Sequence, residues 1–184
     1  MQVINWHQFP GENLPLGNKL SSVTIGIFDG VHRGHQALIK RIVSFNGSYV
    51  PVVITFRQPD NNKKHKHDIQ TFEQKAIMLE SLGVEILLVI DFSEPLQLMP
   101  GINFLETLVK HCNIGFFAAG SNFRCGYQLD TGAAEIMRFF SSFNVPAEII
   151  PDVMEGSLPV SSSRIRSAIA AGDTRLAQVM LGNV

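Results

Sequence analysis

Apolar positions along this chain change period from segment to segment, and the changes mark its elements. Val23, Ile25 and Ile27 alternate with smaller residues, the period of a strand. Ala37, Leu38, Ile39, Ile42 and Val43 then recur at helical spacing. The first unit therefore reads as strand, glycine-bearing turn, helix. Residues 49–56 predict a second strand and 57–68 a polar loop. Thr71 and Gln74 have capping-box spacing before a helix that carries Ile77, Met78 and Leu82, with Gly83 suited to its end. Residues 85–91 form a continuous apolar run, the mark of a strand covered on both faces. Further on, 104–112, 133–143 and 161–171 predict helices, 114–119 and 147–150 strands, and 120–132 a glycine-bearing loop. A last helix is expected from Thr174 to Leu181, with Asp173 as its N-cap. Residues 1–22 read as an irregular lead-in.

Alternating strand and helix imply a Rossmann-like α/β fold: an open parallel sheet with helices on both faces. Ligands of such sheets bind at the carboxyl ends of the strands. The loops after Ile27, Thr55, Asp91 and Ala119 are therefore expected to converge on one site.

The 184 residues suit one domain spanning 1–184, with no linker; 45% are hydrophobic and 17% charged, enough for a sizeable core. A net charge of −1 argues against a general nucleic-acid or membrane-surface role, and no apolar run is long enough to span a bilayer. Cys112 and Cys125 make no disulfide framework, and no signal peptide opens the chain, so a reducing cytoplasm is the expected setting.

The chemistry gathers first in Phe28-Asp29-Gly30-Val31-His32-Arg33-Gly34-His35. A helix start leaves N–H groups unpaired and carries partial positive charge, which suits a phosphate. Gly30 and Gly34 are expected to let the backbone approach such a guest. His32 and His35, three apart, can face one side of the opening turn, donate to phosphate oxygens and carry charge near neutral pH. Two helix-start histidines beside a structural turn, or a two-histidine metal site without nearby cysteine or carboxylate ligands, are the alternatives.

Three later stretches bear on the same question. Thr55-Phe56-Arg57-Gln58-Pro59-Asp60 follows the second strand, and Phe56 either walls a planar slot or is ordinary core. In Gly120-Ser121-Asn122-Phe123-Arg124-Cys125-Gly126 an amide and a ring can bond and stack on a planar ligand, or simply build a turn. Cys125 has no base beside it in sequence and is not read as a nucleophile. Ser161-Ser162-Ser163-Arg164-Ile165-Arg166 offers N-cap hydroxyls, and Arg166 a planar permanent charge suited to phosphate. The run Lys63-Lys64-His65-Lys66-His67 reads as a solvated loop, with phosphate attraction as the other possibility.

Gly26-Ile27-Phe28-Asp29-Gly30-Val31-His32-Arg33-Gly34-His35 resembles the signature of the adenylyltransferase module of prokaryotic FAD synthetases. That module usually forms the front half of a riboflavin kinase/FAD synthetase and belongs to the His-x-Gly-His nucleotidylyltransferase superfamily. The run 161–166 is similar to the family's Ser-Ser-Thr/Ser-x-Ile-Arg, and 120–126 to its Gly-x-Asp/Asn-Phe-x-Phe-Gly, with Cys125 in place of an aromatic residue. Thr55-Phe56 matches, but the family's Pro-His-Pro turn does not follow.

The resemblance implies an FMN adenylyltransferase acting on ATP, FMN and Mg2+. A nucleotidylyltransferase with another phosphorylated acceptor and a non-catalytic nucleotide- or flavin-binding protein are the alternatives. It implies catalytic roles for His32, His35 and Arg166. Contacts with nucleotide or flavin are implied for Gly26, Ile27, Phe28, Asp29, Gly30, Gly34, Phe56, Asn122, Phe123, Arg124, Ser162, Ser163 and Arg166. Asn122 would stand near the metal. No run of alternating strands follows Leu181 to build the family's riboflavin kinase barrel, so that module is not expected within these residues.

Overall fold

The computed structural model describes residues 1–6, 13–57, 68–91 and 94–182. In chain order the elements are β1 (Gln2–Asn5), β2 (Ser21–Ile25), α1 (Arg33–Ser44), β3 (Val50–Arg57), α2 (Phe72–Ser81), β4 (Ile86–Asp91), α3 (Glu94–Gln97), α4 (Gly101–Cys112), β5 (Ile114–Gly120), α5 (Ala133–Ser142), β6 (Ala147–Ile150), β7 (Met154–Glu155), β8 (Leu158–Pro159), α6 (Ser162–Ala170) and α7 (Thr174–Leu181). Six strands form one parallel sheet in the order β1-β4-β3-β2-β5-β6. β7 and β8 form a short antiparallel hairpin.

Strand side chains alternate between faces, and two clusters record it. Ile86, Leu88 and Ile90 of β4 join Val23, Ile54 and Phe117 under α4 and α5, through Phe104, Leu108, Ile136 and Phe140. Leu87 and Val89 point the other way, with Val53 and Phe116, under Leu38, Ile39 and Ile42 of α1 and Leu79 of α2. Burial on both faces explains why β4 reads as an unbroken apolar run. A third cluster, around Ile165, Ala168, Ala177 and Met180, seats α6 against α7.

Local rules hold at the helix ends. Thr71 Oγ1 accepts from Gln74 N at 3.2 Å and Gln74 Oε1 from Thr71 N at 2.9 Å, a complete capping box. Asp173 Oδ1 accepts from Leu176 N at 3.0 Å, and Gly83 follows α2 at φ 94°.

Three expectations change. The lead-in contains β1, which pairs with β4 over Gln2–Asn5; four residues with polar ends are too short to show a period. The first strand ends at Ile25, leaving Ile27 56% exposed beyond it. Ile77 of α2 is 67% exposed, and the inward positions are Lys75 and Leu79. The Gln58-Pro59 step and the run 63–67 lie outside the described residues. Among the described residues no helix is long and apolar enough to cross a membrane.

Candidate active site

The carboxyl ends of the parallel strands open into a cavity of about 910 Å³, within the range of small-molecule sites. Its wall takes residues from the segments after β2, β3, β4, β5 and β6 and from the start of α6, so the predicted convergence is found. The amino ends of α1 and α6 meet there: a Cβ on Gly34 would stand 3.8 Å from Val160 O. Two helix starts at one wall concentrate partial positive charge and favour an anion.

His32 is the N-cap of α1, and its Nδ1 accepts from His35 N at 3.3 Å. The two imidazoles stack, with centroids 3.6 Å apart and planes 16° from parallel. The Phe28 ring meets His35 edge-on at 5.1 Å. His35 Nδ1 is buried without a hydrogen-bond partner among the described residues. Burial lowers His32 to about 4. Burial first, then the nearby His32 and the Lys75 ammonium, lowers His35 to about 3. The expectation that either is charged near neutral pH is thus corrected: both are neutral imidazoles, because desolvation disfavours the charged form. A neutral imidazole still donates one N–H.

Arg166 Nη1 donates to Asp29 Oδ2 at 2.7 Å, and its Nη2 to Ser163 Oγ at 3.3 Å. Ser161 caps α6, its Oγ accepting from Arg164 N at 3.3 Å. Ser162 Oγ donates to Asp29 O at 2.8 Å, so its proton is already directed inward.

The glycines divide. Gly34 lines the cavity, but the space its missing Cβ leaves is filled by the His32 ring, 3.2 Å away. Gly30 is not in the cavity wall. Its φ of 82° requires glycine, and a Cβ there would meet Ile69 at 3.1 Å and Leu181 at 3.3 Å. In this structure Gly30 shapes the turn and its packing.

The other expected site residues all reach the wall: Gly26, Ile27, Phe28, Asp29, Phe56, Asn122, Phe123, Arg124, Ser162, Ser163 and Arg166. Phe56 and Phe123 both pack on the core while lining the cavity, which joins the two readings of Phe56. Arg124 Nε donates to Leu129 O at 3.0 Å. Cys125 is buried and its thiol is pushed up to about 12, first by burial and then by Asp130, so it is not a thiolate. Among the described residues no group of His, Cys, Asp and Glu could by itself hold a metal.

Lys75, Gln70 and Gln36 escaped the sequence reading. With Thr55 they donate to backbone carbonyls of the turn between β2 and α1. Lys75 carried a signal: with Met78, Leu79 and Leu82 it sits at i, i+3, i+4 and i+7, a lysine in an apolar stripe. The β7–β8 hairpin is tied to α1 by Arg33 Nη1 and Glu155 Oε2 at 2.5 Å.

The sequence profile of the FAD synthetase family matches residues 16–164. The chain belongs to the FAD synthetase family. It is 30% identical over 169 residues to a bifunctional riboflavin kinase/FMN adenylyltransferase of Bacillus subtilis, covering 88% of this chain and 53% of that protein. A protein of the same description from Buchnera aphidicola is 29% identical over 178 residues, 92% of this chain and 57% of its own. The chain thus spans about half the length of the curated relatives it matches. The crystal structure of a macrolide-efflux protein from Streptococcus pneumoniae superposes with a TM-score of 0.80 at 26% identity, covering 99% of this chain and 60% of that one. In this FAD synthetase family member the His-x-Gly-His turn falls within the matched span and the serine-arginine helix start at its edge.

Proposed function

We propose that this chain transfers the adenylyl group of ATP to FMN, giving FAD and pyrophosphate. The observation that carries the reading is the stacked His32–His35 pair at one helix start, beside the Ser161–Arg166 helix start at the wall of the same cavity. A phosphate oxygen of FMN attacks the α-phosphorus of ATP, and the bond to the bridging oxygen of the β-phosphate breaks. The nucleophile is already ionised, so no general base is needed. What the protein supplies is position and neutralisation of developing charge. His32 and His35 donate N–H groups to the transferring phosphate, and Arg166, oriented by Asp29, adds a fixed positive charge.

The ring system of the flavin is assigned to the apolar part of the wall, where Phe56, Phe123 and Cys125 stand. Gly26, Ile27, Phe28, Asp29, Gly34, Ser162 and Ser163 are assigned to the nucleotide, and Arg124 to the rim. Magnesium favours oxygen ligands and keeps substrate phosphates in its shell. The donor set fits such an ion sparsely: Asn122 is exposed at the wall, while Asp152 accepts from Ser121 at 2.7 Å and Asp29 from Arg166. Asn122 would supply one oxygen, and the ion would neutralise phosphate charge. A reducing cytoplasmic setting belongs to the same proposal, supported by two buried cysteines held as thiols.

The test incubates the 184-residue protein with ATP and magnesium plus either FMN or riboflavin, and resolves the flavins chromatographically. FAD and pyrophosphate are expected from FMN, and no FMN from riboflavin. Tight ATP and FMN binding without FAD would favour a non-catalytic binder. Pyrophosphate release only with another phosphorylated acceptor would reassign the substrate.

A further inference from the structure

The turn between β2 and α1 holds an unfavourable backbone shape. Phe28 has φ 54° and Val31 φ 37°, both non-glycine residues in the left-handed region, with Gly30 at 82° between them. Such conformations persist only where the surroundings over-determine them. Here side chains from several elements grip the turn's carbonyls. Gln70 Nε2 donates to Phe28 O at 3.2 Å, Ser162 Oγ to Asp29 O at 2.8 Å and Gln36 Nε2 to Val31 O at 3.0 Å. The Ile27 carbonyl receives two donors, Lys75 Nζ at 3.0 Å and Thr55 Oγ1 at 3.1 Å.

Lys75 differs from the other donors. It is a charged side chain only 9% exposed, on the inward stripe of α2, and its Nζ also lies 3.3 Å from Thr55 Oγ1. Burying an ammonium is unfavourable unless it is hydrogen-bonded and paired. The packing of α2 alone would be served better by an apolar residue. Lys75 is not among the residues of the cavity wall. Its charge faces the carboxylates of Asp29 and Asp68, and Asp29 is the partner of Arg166. On the other side it acts on His35, which also stacks on His32.

We propose that Lys75 is a positioning residue for the adenylyl transfer: its ammonium clamps the Ile27 carbonyl to the end of β3, fixing the turn that sets His35 and the Asp29–Arg166 pair against the cavity. The proposal rests on the functional reading above.

The experiment compares Lys75→Met with the parent as full chains. It measures kcat, KM for ATP, and the affinity and stoichiometry of ATP binding by calorimetry. It also follows the His32 and His35 imidazole signals by NMR across pH. A small displacement of catalytic groups can cost about 100-fold. The expected result is a kcat lower by about 10- to 100-fold at unchanged ATP stoichiometry, with an upward move of the His35 titration. A parental kcat, or a kcat that falls in step with the fraction of chains binding ATP, would overturn the clamp.

Should Lys75→Met fail to fold, the near-isosteric Thr55→Val removes the second donor to Ile27. It is expected to keep the parent's ATP stoichiometry with a several-fold lower kcat; parental turnover would overturn the proposal. If the parent itself makes no FAD, the functional reading fails, and the clamp is judged on NMR alone. Imidazole signals identical in Lys75→Met and parent would then overturn it.

Discussion

Arg166 and Asp29, separated by 137 residues, form an ion pair with Nη1 2.7 Å from Oδ2. The other carboxylate oxygen of Asp29 accepts from Ile69 N at 2.9 Å. The pair joins the turn after β2 to the start of α6 and aims the guanidinium along the cavity wall. An arginine expected only to grip phosphate is thus also part of the frame. Its planar fork can hold Asp29 and still offer further N–H groups to a ligand.

Arg166→Lys should therefore weaken nucleotide binding. Lysine keeps the charge but cannot serve Asp29 and a phosphate with one rigid fork. The Arg166 side chain is 39% exposed, so the melting temperature should stay near the parent's. Calorimetric ATP titration and a thermal melt check both. An unfolded variant whose residual folded fraction binds ATP normally would make Arg166 purely structural.

His35→Ala should slow transfer far more than it weakens ATP binding. Its ring lines the cavity in the first turn of α1, stacked on His32. Loss of one preorganised donor costs about 100- to 1000-fold in rate. Single-turnover kinetics with FMN and ATP measures the loss, and a near-normal rate constant would remove His35 from the mechanism. His32→Ala should behave similarly and also loosen the start of α1, since His32 caps it.

The two histidines also predict how stability depends on pH. In the unfolded chain each titrates near its ordinary value of 6.5; folded, His32 is lowered to about 4 and His35 to about 3. Between these limits the unfolded state binds more protons, so stability rises with pH. The contribution is complete above about pH 6.5 and declines as pH falls toward the folded values. Comparing melts of the parent and His32→Gln/His35→Gln from pH 7.5 to 4.5 isolates it. The variant should show the shallower loss on acidification.

Thr71→Ala should destabilise the fold by about 1 kcal/mol, the usual worth of an N-cap side chain. It removes the acceptor for Gln74 N at the start of the helix that carries Lys75. Chemical denaturation should show a lower midpoint with an unchanged slope. A midpoint equal to the parent's would mean that Gln74 and solvent satisfy the helix start without the hydroxyl.

Much of this protein is legible in the linear order of its residues. The capping box at Thr71 and Gln74, the Asp173 cap, the double-faced apolar run of β4 and the strand-turn-helix around Gly30 all depend on neighbours within a few residues. Local hydrogen bonds and side-chain period determine such features, and both are written along the chain. The same holds for the histidine pair, whose spacing of three places both rings on one side of a helix start.

Tertiary structure alone decided the rest, because it concerns groups distant in sequence and their distance from water. Spacing puts His32 and His35 together, but only burial by the surrounding elements makes them neutral. Gly30 reads as a glycine for a ligand, yet Ile69 and Leu181 pack against it. The string of residues does not give Lys75 or Asp29 its partner. Folding brings one onto the Ile27 carbonyl, 48 positions away, and the other onto Arg166, 137 away. A sequence lists which charges exist; which of them lose water, and which partner replaces it, follows from how sheet and helices close over the turn.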